Sequence, residues 1–296
     1  MANDVKEERL LAPEMAEVPR LLRFYLQNER AILGVMSVAF VLACWEAWTR
    51  GWLADLAQLI TGASVERLRI NPIFLSAPTA IVQTGARLFA TGEIWNDLRV
   101  SGLEWFVGFF LSIAVGLPLG LAAGWYRKFN FAVDPFLSAM NATPRVALLP
   151  LIIIWIGIGI WSKIAIVFLG AVIPICINTL AGVRTTDARL LRVARSFGSS
   201  EGRLFRTIIL PNSLPFILAG LRLGVGRATV GIVVGELYAA TAGIGFMITV
   251  AGATFQTDKV FLGIAIIAIF GLLMVETLTR VERRFETWRP KVGAAT

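Results

Sequence analysis

The 296-residue chain contains few residue types that make or break bonds. It has no histidine, and its two cysteines, Cys44 and Cys176, both lie in apolar runs. Zinc hydrolysis and imidazole acid/base chemistry therefore lack their usual residues, and a disulfide framework is excluded. Carboxylates within the apolar runs are isolated, so a hydrolase buried in lipid would lack a paired nucleophile and base. The nearest approach to the phosphate-cradling Gly-x-x-x-x-Gly-Lys-Ser/Thr pattern is "GIGIWSK", which lacks the second glycine before its lysine. No metal or cofactor is expected on this chain. The remaining chemistry belongs to polar and ionisable residues embedded in apolar sequence: Asn141 with Met140, Arg145, Arg222, Arg227 and Glu236. Charge inside a lipid-spanning segment is costly and marks a solute path by default. Each has a structural alternative. Arg145 and Arg222 either line a path or reach the membrane interface, and Glu236 either lines it or pairs with an arginine of a neighbouring helix.

The elements that must hold these residues are set by composition. The chain is 56% hydrophobic and only 16% charged, with a mean hydropathy of +0.72, values that belong to polytopic membrane proteins. A helix needs about 20 mostly apolar residues to cross the hydrocarbon layer. Six runs qualify: 31–48, 100–125, 135–161, 164–183, 215–241 and 260–278. They are too long and too uniformly apolar for barrel strands, and unpaired backbone polar groups are not tolerated in lipid, so the expected fold is all-α with about six transmembrane helices.

The net charge of +8 is a matter of topology, not of nucleic-acid binding. One side would hold Lys6, Arg9, Arg20, Arg23 and Arg30, then Arg127 and Lys128, then Arg184, Arg189, Arg192, Arg195, Arg203 and Arg206, then the basic C-terminal stretch. The other would hold only Arg50, Arg67, Arg69, Arg87, Lys163 and Lys259. The positive-inside rule then places both termini in the cytoplasm. The expected organisation is a cytoplasmic tail over 1–30, a first transmembrane helix over 31–48, an external segment over 49–97, a core over 98–282 with five further spans, and a cytoplasmic tail over 283–296. "VLAC" ending at Cys44 is a poor lipoprotein cleavage site because Leu42 is too bulky, so the first helix is read as retained.

In the external segment, Pro78 opens a short helix that stops at Gly92. Gly116, Gly120 and Gly124 in the second span, and Gly220, Gly224, Gly231 and Gly235 in the fifth, form small-residue stripes. These let helix backbones approach closely, within one subunit or between two copies. Pro144, Arg145 and Pro150 interrupt the third span and predict a kink. Trp155 and Trp161 at its end suit an interfacial belt. No repeat relates the halves, which gives no support to an inverted-repeat secondary transporter.

The largest basic loop is itself structured. Asp187 is placed to cap a helix whose apolar residues are Leu190, Leu191, Ala194 and Phe197, and Gly198 stops it. A second helix starts near Ser199 or Ser200, carries Leu204, Phe205 and Ile208, and ends before Pro211. This elbow over 187–211 either lies on anionic lipid or inserts into a groove on a partner.

Here the sequence resembles the permease subunits of binding-protein-dependent ABC importers, whose elbow motif is Glu-Ala-Ala, three residues, Gly, nine residues, then Ile-x-Leu-Pro. Ala194 matches the second alanine, Gly198 the glycine, and Ile208, Leu210 and Pro211 the closing triplet. Arg192 stands where the family has glutamate and Val193 where it has the first alanine, so Arg192 inherits no role. The resemblance covers roughly residues 70–290 and is closest to the branch importing nitrate, bicarbonate, taurine and alkanesulfonates. It rests also on Pro144 to Pro150, Trp155 with Gly157 to Gly159, Gly220-Leu221-Arg222, Glu236, and the stretch "TAGIGFMITVAGATFQTDKVF", which resembles the branch's external loop.

The resemblance implies a non-enzymatic, multi-pass inner-membrane permease importing a small anion. Its elbow would dock on a separate ATPase, two of which bind ATP and magnesium. A periplasmic binding protein would deliver the solute, and a second permease copy, on present signs identical, would complete the path. Ala194, Phe197, Gly198, Leu204, Ile208, Leu210 and Pro211 are the implied coupling residues, with Phe197 and Leu204 as the apolar projections. Asn141, Arg145, Arg222, Arg227 and Glu236 are the implied pathway residues, the cations suiting an anion. The rival reading is a stand-alone secondary transporter or channel, indifferent to disruption of the elbow.

Overall fold

The computed structural model describes residues 20–61, 71 and 73–286. Most of the expected N-terminal tail, the C-terminal tail beyond 286 and residues 62–70 of the external segment lie outside the described residues. All regular structure among the described residues is helical. The chain divides into two units, Met1–Ala80 and Ile81–Thr296.

In the first unit, α1 (Arg20–Thr49) contains a non-helical residue at Asn28, and its apolar part, Asn28–Thr49, is long enough to cross a membrane. Val35, Met36, Val38, Phe40 and Val41 are exposed around it. A helix apolar all round that buries none of these side chains is one solvated by lipid. Gly51, with φ 78°, turns the chain into α2 (Trp52–Thr61). Glu46 pairs with Arg50 at 2.8 Å and accepts from the Thr79 N–H at 3.0 Å.

The boundary between the units falls within α3 (Pro78–Thr91), which stops at Gly92, whose φ is 85°, as its sequence predicts. There follow α4 (Ile94–Trp125), α5 (Arg127–Ala142), a 3-10 turn (Arg145–Leu148), α6 (Leu149–Ile156), α7 (Ile160–Arg184), α8 (Ala188–Ser196), α9 (Glu201–Leu204), α10 (Leu210–Ala239), α11 (Ile244–Ala253) and α12 (Thr257–Glu286). Across both units five helical stretches are long and apolar enough to span, or six if the bent pair of α5 and the Arg145–Ile156 segment is one crossing.

That bent pair corrects the expectation of one kinked helix over 135–161. The two limbs meet at 94°. Thr143 is extended (ψ 128°) because the ring of Pro144 disfavours helical geometry in the residue before it. Two further boundaries move. The elbow's second helix does not end before Pro211 but continues into α10 through a π turn, Phe205–Ile209. The wider turn makes room for the Pro211 ring, which would crowd a regular preceding turn. The stretch after Glu236 folds into α11, not a loop.

The most deeply packed helix is α7, held between α4 and α10. Val167, Ala171 and Ile175 of α7 are fully enclosed, together with Trp105 and Phe109 of α4 and Val225, Ala228 and Ile232 of α10. The glycine stripes explain the closeness. A Cβ on Gly120 would lie 2.6 Å from the Cys176 carbonyl oxygen, and one on Gly231 would lie 3.3 Å from that of Ile166. Gly116 and Gly124 of α4, and Gly220 and Gly224 of α10, meet α7 in the same way. Both stripes are therefore used inside one chain, which withdraws the support they lent to pairing of identical copies.

Candidate functional site

The elbow begins where Asp187 caps α8, its carboxylate accepting from the Arg189 N–H at 2.7 Å. It turns at Gly198, where φ is 73°. The Gly198 N–H donates to the Arg195 carbonyl at 2.9 Å and the Ser199 N–H to the Ala194 carbonyl at 3.1 Å. This paired closure of a helix end needs a left-handed residue, which glycine adopts without a Cβ penalty. Arg195 then hydrogen-bonds Glu201 at 2.9 and 3.2 Å across the turn, and that bond holds the Arg195 pKa above its ordinary value.

The elbow has two apolar sides. Leu204 and Ile209 are buried, and the Phe205 ring meets the Trp125 ring edge-on at 5.9 Å. Asn212 donates to Thr186 at 3.2 Å. These contacts fasten the elbow to the end of the bundle. On the other side Leu190, Val193 and Phe197 stand exposed at helical spacing, Phe197 by 85%. Arg189, Arg192, Arg203 and Arg206 are exposed around them. The expectation for Leu204 is thus corrected: it is 0% exposed and cannot project. Leu190 and Val193 replace it. Leu190 was placed on the apolar face by its spacing, whereas Val193 was missed, although position 193 lies three residues after Leu190 and four before Phe197. Ala194 is half-buried, Ile208 is half-buried, and Leu210 and Pro211 lie in the exposed first turn of α10.

The embedded polar residues separate into three groups. Arg222 pairs with Glu282 of α12. Glu236 is 2% exposed and serves a seat for the start of α11. It accepts from Ser101 Oγ at 2.5 Å and from the Gly245 N–H at 2.6 Å, while Ser101 Oγ accepts from the Ile244 N–H and Asp97 from the Gly243 N–H, both at 2.8 Å. Three orphan donors at a helix start are thereby satisfied. Its hydrogen-bond partners are a serine and one backbone amide, not an arginine. Beside this seat Lys163 and Glu104 form an ion pair, 4% and 0% exposed. Lys163 is therefore not a surface charge, as its position in the sequence suggested. Asp97, Ser101 and Glu104 were missed too, yet their spacing puts all three on one face of an otherwise apolar helix, which is a readable signal.

The third group is Arg145 with Arg227. Arg145 leads the 3-10 turn and is half-buried, its Nε enclosed with no hydrogen-bond partner. Arg227 is exposed on α10. Asn141 and Met140 are exposed near the end of α5. No group of His, Cys, Asp and Glu suited to a metal ion occurs among the described residues.

Residues 116–287 match the family described as binding-protein-dependent transport system inner membrane component. The putative aliphatic sulfonates transport permease protein SsuC of Bacillus subtilis is 36% identical over 86% of this chain and 87% of its own length. The taurine transport system permease protein TauC of Escherichia coli is 33% identical over 90% and 92%. Among solved structures, a chain of the MetNI methionine ABC transporter, in inward facing conformations, superposes with a TM-score of 0.56 at 18% identity. The match covers 65% of this chain and 95% of that one, a likeness of fold.

Proposed function

Because this chain belongs to the family of binding-protein-dependent transport system inner membrane components, we propose that it carries a small sulfonate, with taurine-like and alkanesulfonate anions as the solute class. The chain is the multi-pass permease subunit of an ABC importer in the inner membrane, and it is not an enzyme. An ATPase and a solute-binding protein are its partners. The observation that carries the solute class is likeness over nearly the whole chain to permeases named for aliphatic sulfonates and for taurine.

The finer assembly is two copies of this chain, two ATPases that bind ATP and magnesium, and one binding protein on the opposite face. Both termini and the elbow lie on the ATPase side, a reading supported by the arginines gathered at the elbow and near the end of α12. In it the exposed stripe of Leu190, Val193 and Phe197 enters a groove on the ATPase, and the surrounding arginines meet an acidic rim. Nucleotide-driven closure of the two ATPases then moves the elbows, and with them α10, with which each elbow is continuous.

The test is affinity purification of the C-terminally tagged protein from native membranes, wild type against Gly198→Trp, followed by uptake of taurine and ethanesulfonate by the purified complex in proteoliposomes. An ATPase that accompanies the wild type and is lost from a folded variant supports coupling through the elbow. An ATPase retained equally by both variants refutes it. A complex that hydrolyses ATP with its loaded binding protein yet moves neither sulfonate refutes the solute class alone.

A further inference from the structure

The apolar part of α1 ends in a polar knot. Asn28–Thr49 is 22 residues long, roughly 33 Å at 1.5 Å per residue, which crosses a hydrocarbon layer of about 30 Å. At its end Arg50 Nε donates to Glu46 at 2.8 Å, Arg50 Nη2 donates to Thr79 Oγ1 at 2.7 Å, and that hydroxyl donates to Glu46 at 2.7 Å. Charged groups at this level belong beside headgroups and water, not acyl chains. Trp48 and Trp52, both exposed, flank the turn, and amphipathic rings of this kind gather at the membrane boundary. The turn at Gly51 is therefore at the depth of the headgroups.

Helix α2 starts at that depth, because only Arg50 and Gly51 separate it from Thr49. Its exposed apolar residues are Trp52, Leu53, Leu59 and Ile60, the last two by 83% and 74%. At 3.6 residues per turn the four fall within an arc of about 120°, the width of a stripe that faces an apolar phase. Asp55 and Gln58 are exposed outside that arc, and Ala54, on a third side, is buried. The chain thus covers another side of α2 and leaves the stripe open. A helix standing straight out from the bilayer would carry Leu59 and Ile60 roughly 11 Å further into water. Gly51, with φ 78°, breaks the line of α1 instead.

We propose that α2 lies along the membrane plane in the outer leaflet, with Trp52, Leu53, Leu59 and Ile60 among the upper acyl chains and Asp55 and Gln58 toward water. Its partner is phospholipid, and continuity carries the argument: α1, with apolar side chains exposed around it, delivers the chain from lipid to this turn. The inference rests on the topology given above for the permease, which puts this end of α1 on the face away from the ATPase. Residues 48–61 carry one positive and one negative side chain, Arg50 and Asp55. Anionic headgroups therefore add little, and apolar burial supplies the attachment. Anchored in this way, α2 sets how deep α1 sits in the bilayer, and the bonds of Glu46 and Arg50 hold Thr79 at the same level.

The test uses the full chain on a Cys44→Ser, Cys176→Ala background, assembled with a cysteine-free ATPase in phosphatidylcholine nanodiscs. Nitroxides are attached singly through Leu53→Cys, Asp55→Cys, Gln58→Cys, Leu59→Cys and Ile60→Cys. Relaxation by oxygen, which concentrates among acyl chains, should exceed relaxation by a water-soluble nickel chelate by roughly threefold or more at 53, 59 and 60, and should fall below it at 55 and 58. Added phosphatidylglycerol should leave the pattern unchanged. Nickel dominating at all of these positions overturns the proposal, since α2 then stands in water. Exclusion of both reagents at 53, 59 and 60 overturns it in favour of a protein cover, either a second copy or the binding protein. A pattern that forms only with phosphatidylglycerol overturns attachment by apolar burial. Sidedness is read separately by labelling Gln58→Cys with an impermeant maleimide. Labelling of inverted vesicles but not of intact spheroplasts refutes the topology of the permease reading while the lipid contact stands.

Discussion

Phe197 and Leu204 lie seven residues apart in the elbow, are both apolar, and should fail in opposite ways when truncated. Phe197 is 85% exposed and Leu204 is 0% exposed. A phenylalanine side chain covers about 150–250 Å² when enclosed. At about 25 cal/mol per Å², full enclosure of the exposed part is worth about 3–5 kcal/mol. An alanine retains part of the contact and ordering the interface costs some of it, so Phe197→Ala is expected to weaken ATPase docking by about 2 kcal/mol. That is a roughly 30-fold rise in Kd. The fold of the permease should not change, because in the free chain the ring touches little. Leu204→Ala instead opens a cavity beneath the elbow and costs about 2–5 kcal/mol of local stability. The assay is titration of labelled ATPase onto the permease in nanodiscs, beside hydrogen exchange of residues 187–211. Phe197→Ala should change the first measurement and not the second, and Leu204→Ala should change both. A Kd within twofold of wild type for a folded Phe197→Ala protein would refute docking through this stripe.

Gly120→Val should remove most folded protein, since its Cβ would stand 2.6 Å from a carbonyl of α7, whereas Gly102→Ala, with nothing within 4 Å, should match or exceed wild type; fluorescence-detected size exclusion after heating separates the two. Glu236→Ala leaves the Gly245 N–H and the Ser101 hydroxyl without their acceptor. It should cost about 1–3 kcal/mol and speed hydrogen exchange at Gly245, and protection equal to wild type would refute the seat described for α11.

The sequence by itself determined the class of molecule, because runs of apolar residues long enough to cross lipid leave the backbone no choice but a helix. It determined the elbow as well. Asp187 and Gly198 act on their nearest neighbours, so cap and stop are legible without any tertiary contact. It marked α3 by Pro78 and Gly92 for the same reason, and it marked the glycine stripes, though not which helix they face.

Tertiary structure alone decided which embedded charges are free. Glu236 and Ser101 are 135 positions apart and Arg222 and Glu282 are 60 apart, so no local pattern joins them. Four residues of one type of promise, Arg145, Arg222, Arg227 and Glu236, thus became a neutralised tie, a helix seat and two unmatched arginines. Tertiary structure also decided which apolar residues of the elbow face outward. Leu204 lies over the bundle and Phe197 does not, and hydrophobicity is non-directional, so it cannot say which neighbour will cover a side chain. In a lipid-solvated helix the same limit is stronger, since lipid and protein core are equally apolar. Periodicity there is weak, and close backbone approach and paired charges, both properties of two segments at once, carry the information instead.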